Sequence, residues 1–94
     1  MEIRCFIDPD TDLPHFVRHG VKEDEVRQVV KKPLEQRKGR EDSIVVIGRT
    51  EAGRFLKVIY VPDDDGKCIF VVTAYPIGPN QMKALKRRMK RRRS

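Results

Sequence analysis

The sequence predicts an α+β fold in which helices pack on an antiparallel sheet. Three segments between residues 43 and 76 are rich in β-branched and aromatic residues and are separated by short turns. Apolar residues recur at helical spacing only before and after these segments. With a short strand at the N-terminus, the predicted element order is β-α-α-β-β-β-α, in a single domain that covers all 94 residues.

The N-terminal part of the chain predicts one edge strand and one short helix. Apolar residues alternate along residues 2–7, a pattern typical of a short strand at a sheet edge. A loop follows, and Asp12 is well placed to cap a helix with Pro14 in its first turn. Gly20 is expected to end this helix.

A second helix is predicted over residues 22–32. Val21 and Val26 have the spacing of a hydrophobic staple, and acidic residues fill the first turn, where the helix dipole favours negative charge. Pro33 cannot continue the helix. Because residues 34–42 are mostly polar, we expect them to form an exposed connector.

The predicted sheet centres on strands 43–48, 54–61 and 67–75. The gaps between them are short and contain glycine, which favours antiparallel hairpins. Apolar residues are consecutive over 58–61 and 69–72 instead of alternating. Such runs predict that both faces of this part of the sheet are covered.

The C-terminal part predicts a third helix with a basic end. Asn80 is a favourable N-cap residue, and Met82, Leu85 and Met89 form a narrow apolar stripe. Basic residues occupy most of the other positions. Residues 86–94 are therefore predicted to be a basic, partly disordered tail.

Charge is unevenly distributed along the chain. The formal net charge is +7, yet the first 80 residues hold all 14 acidic residues against 13 of the 21 basic ones. The last 14 residues hold eight basic residues and no acid. A cationic terminus favours contact with a polyanion such as nucleic acid, and a tail that only increases solubility is the alternative. The candidate nucleic-acid contacts are Lys83, Lys86, Arg87, Arg88, Lys90 and Arg91.

Several function classes lack their sequence motifs in this chain. No apolar run approaches the ~20 residues that span a bilayer, and no signal peptide is apparent, so we expect a cytoplasmic protein without membrane contact. Cys5 and Cys68 are then expected to be reduced thiols, since they can pair only if the first strand lies beside the third. The chain also has no glycine-rich phosphate loop and no serine–histidine–acid set.

The two histidines, His15 and His19, are four residues apart in the first predicted helix and therefore share a face. Such a pair can bind a metal, but no carboxylate or cysteine joins it at a recognisable ligand spacing, so no metal site is expected. Proton transfer or phosphate contact is the functional interpretation. In the structural alternative, His19 favourably ends the helix and His15 packs or lies at the surface.

Four further residues are candidates for chemistry. Arg49 and Arg54 flank the first hairpin of the predicted sheet, and each offers a planar fork for a phosphate. Thr73 and Tyr75 are two residues apart in a strand, so they point to the same face. Tyr75 can donate a hydrogen bond to a phosphate oxygen or stack on a base. The structural alternative is two solvated arginines and a strand-end pair packed against the last helix.

The chain resembles the BrnT-like toxins of the RelE/ParE superfamily. The resemblance lies in residues 15–21, 25–26, 29–30, 47–58 and 71–75, in that order and spacing, and extends over most of residues 10–90. It implies a RelE-type fold with a curved antiparallel sheet, ribonuclease activity without a metal or cofactor, and a small antitoxin encoded by an adjacent gene. The chain departs from the family pattern at Lys22, where members often have threonine or serine, and at Tyr75, where members often have arginine.

The hypothesis from the sequence is a metal-independent endoribonuclease, the toxin of a type II toxin–antitoxin system. The 2′-hydroxyl of a ribose attacks the neighbouring phosphodiester in such an enzyme, and the protein stabilises the developing charge. Arg49 and Arg54 are the expected phosphate clamps. His15 or His19 is the proton-transfer candidate, and Thr73 and Tyr75 are the further donors. One alternative is a non-catalytic nucleic-acid-binding module that uses the C-terminal helix, and another is a domain whose basic tail binds only a protein partner.

Overall fold

The computed structural model describes residues 2–5, 7–8, 13–63 and 68–93. In chain order the elements are β1 (Glu2–Cys5), β2 (Ile7–Asp8), β3 (Leu13–Pro14), a 3₁₀ helix (His15–His19), α1 (Glu23–Lys31), β4 (Pro33–Lys38), β5 (Ile44–Arg49), β6 (Phe55–Pro62), β7 (Cys68–Pro76) and α2 (Pro79–Arg93). Five strands form one sheet in the order β1-β7-β6-β5-β4, and β2 pairs separately with β3. The chain therefore has the predicted α+β fold.

Strands β4 to β7 form an antiparallel meander in which consecutive strands are neighbours. The three strands predicted from the sequence correspond to β5, β6 and β7, each displaced by one residue toward the C-terminus. The edge strand predicted at the N-terminus is also present, although it ends at Cys5. This strand, β1, pairs with β7 in parallel.

Strand β1 lies beside β7, the third strand of the predicted sheet. This is the arrangement that a disulfide between Cys5 and Cys68 requires. The register of the two strands places Cys5 opposite Val71 and Cys68 opposite Glu2. The two cysteines are thus offset by three residues, roughly 10 Å along the strands, which is too far for a disulfide. Cys68 is buried and reduced, as the sequence predicts.

The hydrophobic core lies between one face of the sheet and the two N-terminal helical segments. Val26 and Val29 of α1 and Phe16 of the 3₁₀ helix are almost fully buried there. They pack in one cluster with sheet residues Val46, Leu56, Val58, Tyr60, Val71 and Ala74. The predicted packing of both segments on one face of the meander is confirmed.

The first helical segment is a 3₁₀ helix of five residues and not an α-helix. Gly20 follows it in a left-handed conformation, with φ of +71°, and so ends it where the sequence predicts. A segment this short makes too few α-helical hydrogen bonds to offset the cost of nucleation, and a tight 3₁₀ turn is the usual result. Asp12, the predicted N-cap, lies outside the described residues.

Helix α2 crosses the opposite face of the sheet. Its residue Leu85 is fully buried, and a cavity between α2 and the sheet is lined by residues of β4, β5 and β6. The predicted covering of both faces is incomplete at β7, where Phe70 and Val72 are 36% and 40% exposed. These side chains remain accessible because α2 lies over the other half of this face.

Residues 34–42 were predicted to form an exposed connector. Residues 36–42 are exposed as predicted, but the prediction that the segment contains no strand is wrong. Residues Pro33–Lys38 form the edge strand β4, which pairs with β5. The hairpin turn places Glu41 and Asp42 at positive φ, the arrangement of a type I′ turn, and the Ser43 N–H donates to the Arg40 carbonyl at 3.0 Å. Pairing with β5 satisfies the backbone hydrogen-bonding groups of this polar segment. This pairing outweighs the low intrinsic preference of the segment for a strand.

Helix α2 begins at Pro79, one residue before the predicted cap. Proline is favourable at the first helical position, and the carbonyl of Gly78 accepts the first helical hydrogen bond from Met82 N–H at 2.9 Å. The helix continues to Arg93, so the backbone of the basic segment is helical over most of its predicted disordered length. Neither α1 nor α2, the two α-helices of the described residues, has the length and apolar content needed to cross a bilayer.

Candidate functional site

Three chain segments meet at one end of the sheet. The first is the hairpin that joins β5 to β6, the second is the end of β7, and the third is the turn after the 3₁₀ helix. Four of the six predicted catalytic residues, His19, Arg49, Arg54 and Tyr75, lie in these segments. We call this end of the molecule the hairpin end.

The hairpin is held by reciprocal bonds between Thr50 and Arg54. The Thr50 N–H donates to the Arg54 carbonyl at 2.7 Å, and the Arg54 N–H donates to the Thr50 hydroxyl oxygen at 3.0 Å. Gly53 supplies the positive φ, +92°, that this turn requires. These bonds fix the backbone from which the Arg54 side chain extends.

The Arg54 guanidinium is anchored through one nitrogen. Its Nη1 donates to the carbonyl of Gly20 at 2.8 Å and to the two carboxylate oxygens of Glu25 at 3.1 and 3.3 Å. The side chain is still 40% exposed, so it can be reached from solvent. Arg54 is therefore held against the turn that follows the 3₁₀ helix, with its remaining nitrogens outside these three bonds.

Glu25 is a site residue that the sequence analysis did not identify. It occupies the third position of α1 and accepts a hydrogen bond from the Lys22 N–H at 3.1 Å, the carboxylate half of a capping box. A carboxylate at this position turns back toward the residues before the helix. The three-residue spacing from Lys22 to Glu25 is the sequence pattern that could have indicated a partner for a basic residue near Gly20.

His19 and Tyr75 form a direct aromatic contact at the hairpin end. Their ring centroids are 6.0 Å apart with an interplanar angle of 62°, an edge-to-face geometry. His19 is exposed and Tyr75 is half-buried. Because Gly20 follows His19 directly, the bond from Arg54 to the Gly20 carbonyl also ties Arg54 to this pair.

The predicted catalytic residues that remain are Arg49, Thr73 and His15. The Arg49 guanidinium carbon lies 5.7 Å from the centre of the Phe55 ring, a cation–π contact across the base of the hairpin. Thr73 pairs with Ile59, which is five residues along the chain from Arg54, so Thr73 lies roughly 15 Å from Arg54, although it is only two residues from Tyr75. It does share the face of Tyr75, as predicted. The side chain of His15 lies outside the description.

The predicted nucleic-acid contacts of α2 divide into two groups. Lys83, Lys86, Arg87 and Lys90 are exposed on the helix. Arg88 instead donates through Nε to the carboxylate of Glu35 on β4, so it ties α2 to the sheet edge. The side chain of Arg91 lies outside the description. Among the described residues, no three side chains of histidine, cysteine, aspartate or glutamate are grouped so that they could hold a metal ion.

Comparison with known proteins places the chain in a family. A family model described as "Domain of unknown function (DUF4258)" matches residues 15–76, which run from the 3₁₀ helix to the end of β7. The match includes the hairpin, Glu25 and the contact of His19 with Tyr75, and it stops before α2. No curated protein and no solved structure matches the chain. Since the matched segment is about two thirds of the sequence, the chain belongs to the DUF4258 family.

Proposed function

We propose that this chain is a metal-independent endoribonuclease that acts in the cytoplasm as the toxin of a type II toxin–antitoxin system. The observation that carries the proposal is the edge-to-face contact of His19 with Tyr75 beside the anchored Arg54. A proton-transfer group, a phenol donor and a guanidinium then lie at one exposed end of the sheet. The resemblance to BrnT-like toxins supports the same activity.

The proposed reaction is an intramolecular transesterification of the RNA backbone. His19 accepts the proton of a ribose 2′-hydroxyl while the 2′ oxygen forms a bond to the adjacent phosphorus. The bond from phosphorus to the 5′ oxygen breaks, and the leaving oxygen takes a proton from Tyr75 or from water. His19 then releases its proton to solvent and Tyr75 recovers one from solvent, and the products are a 2′,3′-cyclic phosphate and a 5′-hydroxyl.

Arg54 is the proposed stabiliser of the charge that develops on the phosphate. Its bonds to Gly20 and Glu25 fix the guanidinium before substrate binds, and a fixed donor stabilises charge without reorganisation during the reaction. Arg49, at the base of the same hairpin, is the second proposed phosphate contact. Thr73 and His15 remain candidates for a supporting role.

Cleavage of a mixed RNA pool in EDTA tests the proposal. We expect wild-type protein to cleave, and His19→Ala and Tyr75→Phe each to lower the rate at saturating RNA by ~10²-fold, the lower end for general acid–base catalysis. Lys38→Gln, an exposed change at the opposite end of the sheet, serves as the control. Absence of cleavage by a folded wild-type protein would reject the ribonuclease assignment.

The proposed partner is an acidic antitoxin encoded by an adjacent gene. A cationic protein that cuts cellular RNA requires neutralisation, and an acidic segment covering Arg49 and Arg54 would provide it. Expression of the chain alone should arrest growth, and co-expression with the product of the neighbouring gene should relieve the arrest. A harmless protein that binds no neighbour would remove the basis of the toxin assignment.

A nucleic-acid-binding module without catalysis is the second candidate function. The observation that favours it is the run of exposed cations on α2, which lies outside the family match. Phosphate contacts by such a helix supply affinity without sequence preference. This candidate predicts salt-dependent RNA binding and no cleavage, so the cleavage assay together with RNA binding at several salt concentrations separates it from the ribonuclease.

A further inference from the structure

Helix α1 and strand β5 approach each other very closely at Gly48. A Cβ atom at this position would lie 3.0 Å from Val29 Cγ1 and 3.4 Å from the Lys32 carbonyl oxygen. Glycine therefore allows the last turn of α1 to pack directly on the end of β5. The consequence is that the basic residues of that turn lie beside Arg49, the last residue of β5.

A cationic cavity opens at this contact. Its volume is about 210 Å³, and its lining consists of Arg27, Gln28, Lys31, Lys32, Arg49 and Glu51. Four of these side chains are cationic and one is a carboxylate. Because α1 ends here, its last carbonyl groups favour Lys31 and Lys32 at this position, and both residues are exposed. The cavity is thus a concave surface with an excess of positive charge.

This cavity adjoins the one at the hairpin end. A second cavity, of about 410 Å³, is lined in part by Gly20, Glu25 and Arg54, and Gln28 and Glu51 line both. The shared wall is fixed, because the Glu51 N–H donates to Gln28 Oε1 at 2.9 Å. An elongated polyanion that places one phosphate at Arg54 would pass the Glu51 carboxylate on this wall before it reaches the cationic cavity.

We propose that the cavity formed by Lys31, Lys32 and Arg49 is a subsite for a second backbone phosphate of the bound RNA strand. The inference rests on the proposed function, since it takes the scissile phosphate to lie at Arg54. Two ammonium groups and a guanidinium are opposite in charge to a phosphodiester and can donate hydrogen bonds to its oxygens. The subsite positions the strand, and it acts only on RNA long enough to reach it.

RNA length is the variable that tests the subsite. Uniformly 2′-O-methylated RNA cannot be cleaved, so its binding is measured by fluorescence anisotropy for a dinucleotide and an octanucleotide at several salt concentrations. The test variant is Lys31→Gln/Lys32→Gln. The control variant, Lys38→Gln/Arg40→Gln, removes two exposed cations from the β4–β5 hairpin at the other end of the sheet.

The test variant should bind the octanucleotide about tenfold more weakly than wild type at low salt, the scale of a lost charge-assisted contact. The slope of log affinity against log salt should fall by about 0.7, the value for one phosphate of a single strand. Dinucleotide binding should be unchanged, and the control should match wild type for both lengths. Equal losses for both lengths, or an octanucleotide loss no greater than in the control, would overturn the proposal.

Two further measurements separate this inference from the proposed function. If unmodified RNA is cleaved while the test variant binds the octanucleotide normally, the subsite is rejected and the ribonuclease stands. If the octanucleotide loss appears without cleavage by wild type, the subsite stands as part of a binding module. An eight-residue polyglutamate peptide is the competing ligand: tighter binding than the octanucleotide, lost in the test variant, would reassign the cavity to an acidic protein.

Discussion

Arg54 can act on the substrate directly or only hold the hairpin in place, and its bonds distinguish the two roles. All three side-chain hydrogen bonds that it makes within the described residues come from Nη1, and two of them go to Glu25. Arg54→Ala removes both the charge and the tie to Gly20. Glu25→Gln keeps an amide oxygen that can accept a hydrogen bond from Arg54, and it leaves the Arg54 charge in place.

We therefore expect the two variants to differ in cleavage rate at saturating RNA. Arg54→Ala should lose ~10²-fold or more, the scale for one preorganised donor, with little change in affinity. Glu25→Gln should lose less than about tenfold, because the guanidinium remains beside the His19–Tyr75 pair. Equal losses in single-turnover assays would show that Arg54 acts by positioning the hairpin and not by contact with phosphate.

Tyr60 gives a prediction about stability and pH. Its side chain is 8% exposed in the core, and this burial raises the pKa of its phenol above the ordinary value of about 10. Between the two values the folded chain keeps a proton that the unfolded chain has lost. The contribution of this phenol to the free energy of unfolding is therefore fully present below pH ~10 and is lost as pH rises through the pKa of the folded state.

Replacing Tyr60 by phenylalanine should make this loss of stability smaller. Urea unfolding at pH 8 and pH 11 measures the decrease for wild type and for Tyr60→Phe, and groups common to both cancel in the comparison. At pH 8 the two proteins should differ by about 1 kcal/mol or less, the net value of one hydroxyl contact. An equal decrease in both proteins would mean that Tyr60 does not titrate in this range.

At the scale of elements, Glu35 and Arg88 form the ion pair that joins α2 to the edge strand β4. Glu35 is 9% exposed, whereas the Arg88 side chain is 43% exposed, so solvent screens part of the interaction. We expect Arg88→Gln to destabilise the protein more than the double change Glu35→Gln/Arg88→Gln, since the single change leaves a buried carboxylate unpaired. Urea unfolding of the complete cycle should give a coupling free energy of about 1 kcal/mol, and additive effects would contradict it.

The antiparallel core of the fold could be predicted from the sequence because its apolar residues follow strand periods and its turns contain glycine. Strand β4 could not, since Leu34 is its single aliphatic residue and its hairpin uses Glu41 and Asp42 at positive φ in place of the usual asparagine–glycine pair. Its formation depends on pairing with β5 and on the partner that Arg88 provides for Glu35.

The candidate site, too, could be predicted from the sequence only in part. Residue type and chain position made His19, Arg54 and Tyr75 candidates, and the structure places all three at the hairpin end. The partner of Arg54 could not be selected in this way, since Glu25 is 29 residues away and meets it only through the packing of α1 on β5 and β6. The register of β7 likewise decided that Thr73 lies opposite Ile59 and not beside Arg54.

At the scale of the whole molecule, cationic groups extend from the hairpin end along α2. The helix begins where β7 ends, next to the bond from the Ile77 N–H to the Phe55 carbonyl, and runs back across the sheet. Cutting the chain after Leu85 would remove the Arg88 tie and Met89 together with the exposed cations, so loss of binding could reflect loss of packing. Substitution of exposed residues alone avoids this.

The variant Lys86→Gln/Arg87→Gln removes two exposed cations of α2 and leaves Leu85, Met89 and Arg88 in place. If both touch phosphates, the slope of log affinity against log salt should fall by about 1.4, which is 0.7 for each contact to a single strand. The loss should be similar for RNA of different sequences, because phosphate contacts carry no sequence information. Cleavage at saturating RNA should stay within about twofold of wild type, since these side chains stabilise bound RNA and its transition state equally.

Binding of several RNA sequences at a series of salt concentrations gives the slopes, with Lys38→Gln/Arg40→Gln as the variant of equal charge loss. If the α2 variant and this control lower the slope equally, the effect belongs to the net charge of the protein and not to contacts along the helix. If the α2 variant lowers the cleavage rate as much as Arg54→Ala does, the helix takes part in the reaction and the division between a catalytic hairpin end and a binding helix is wrong.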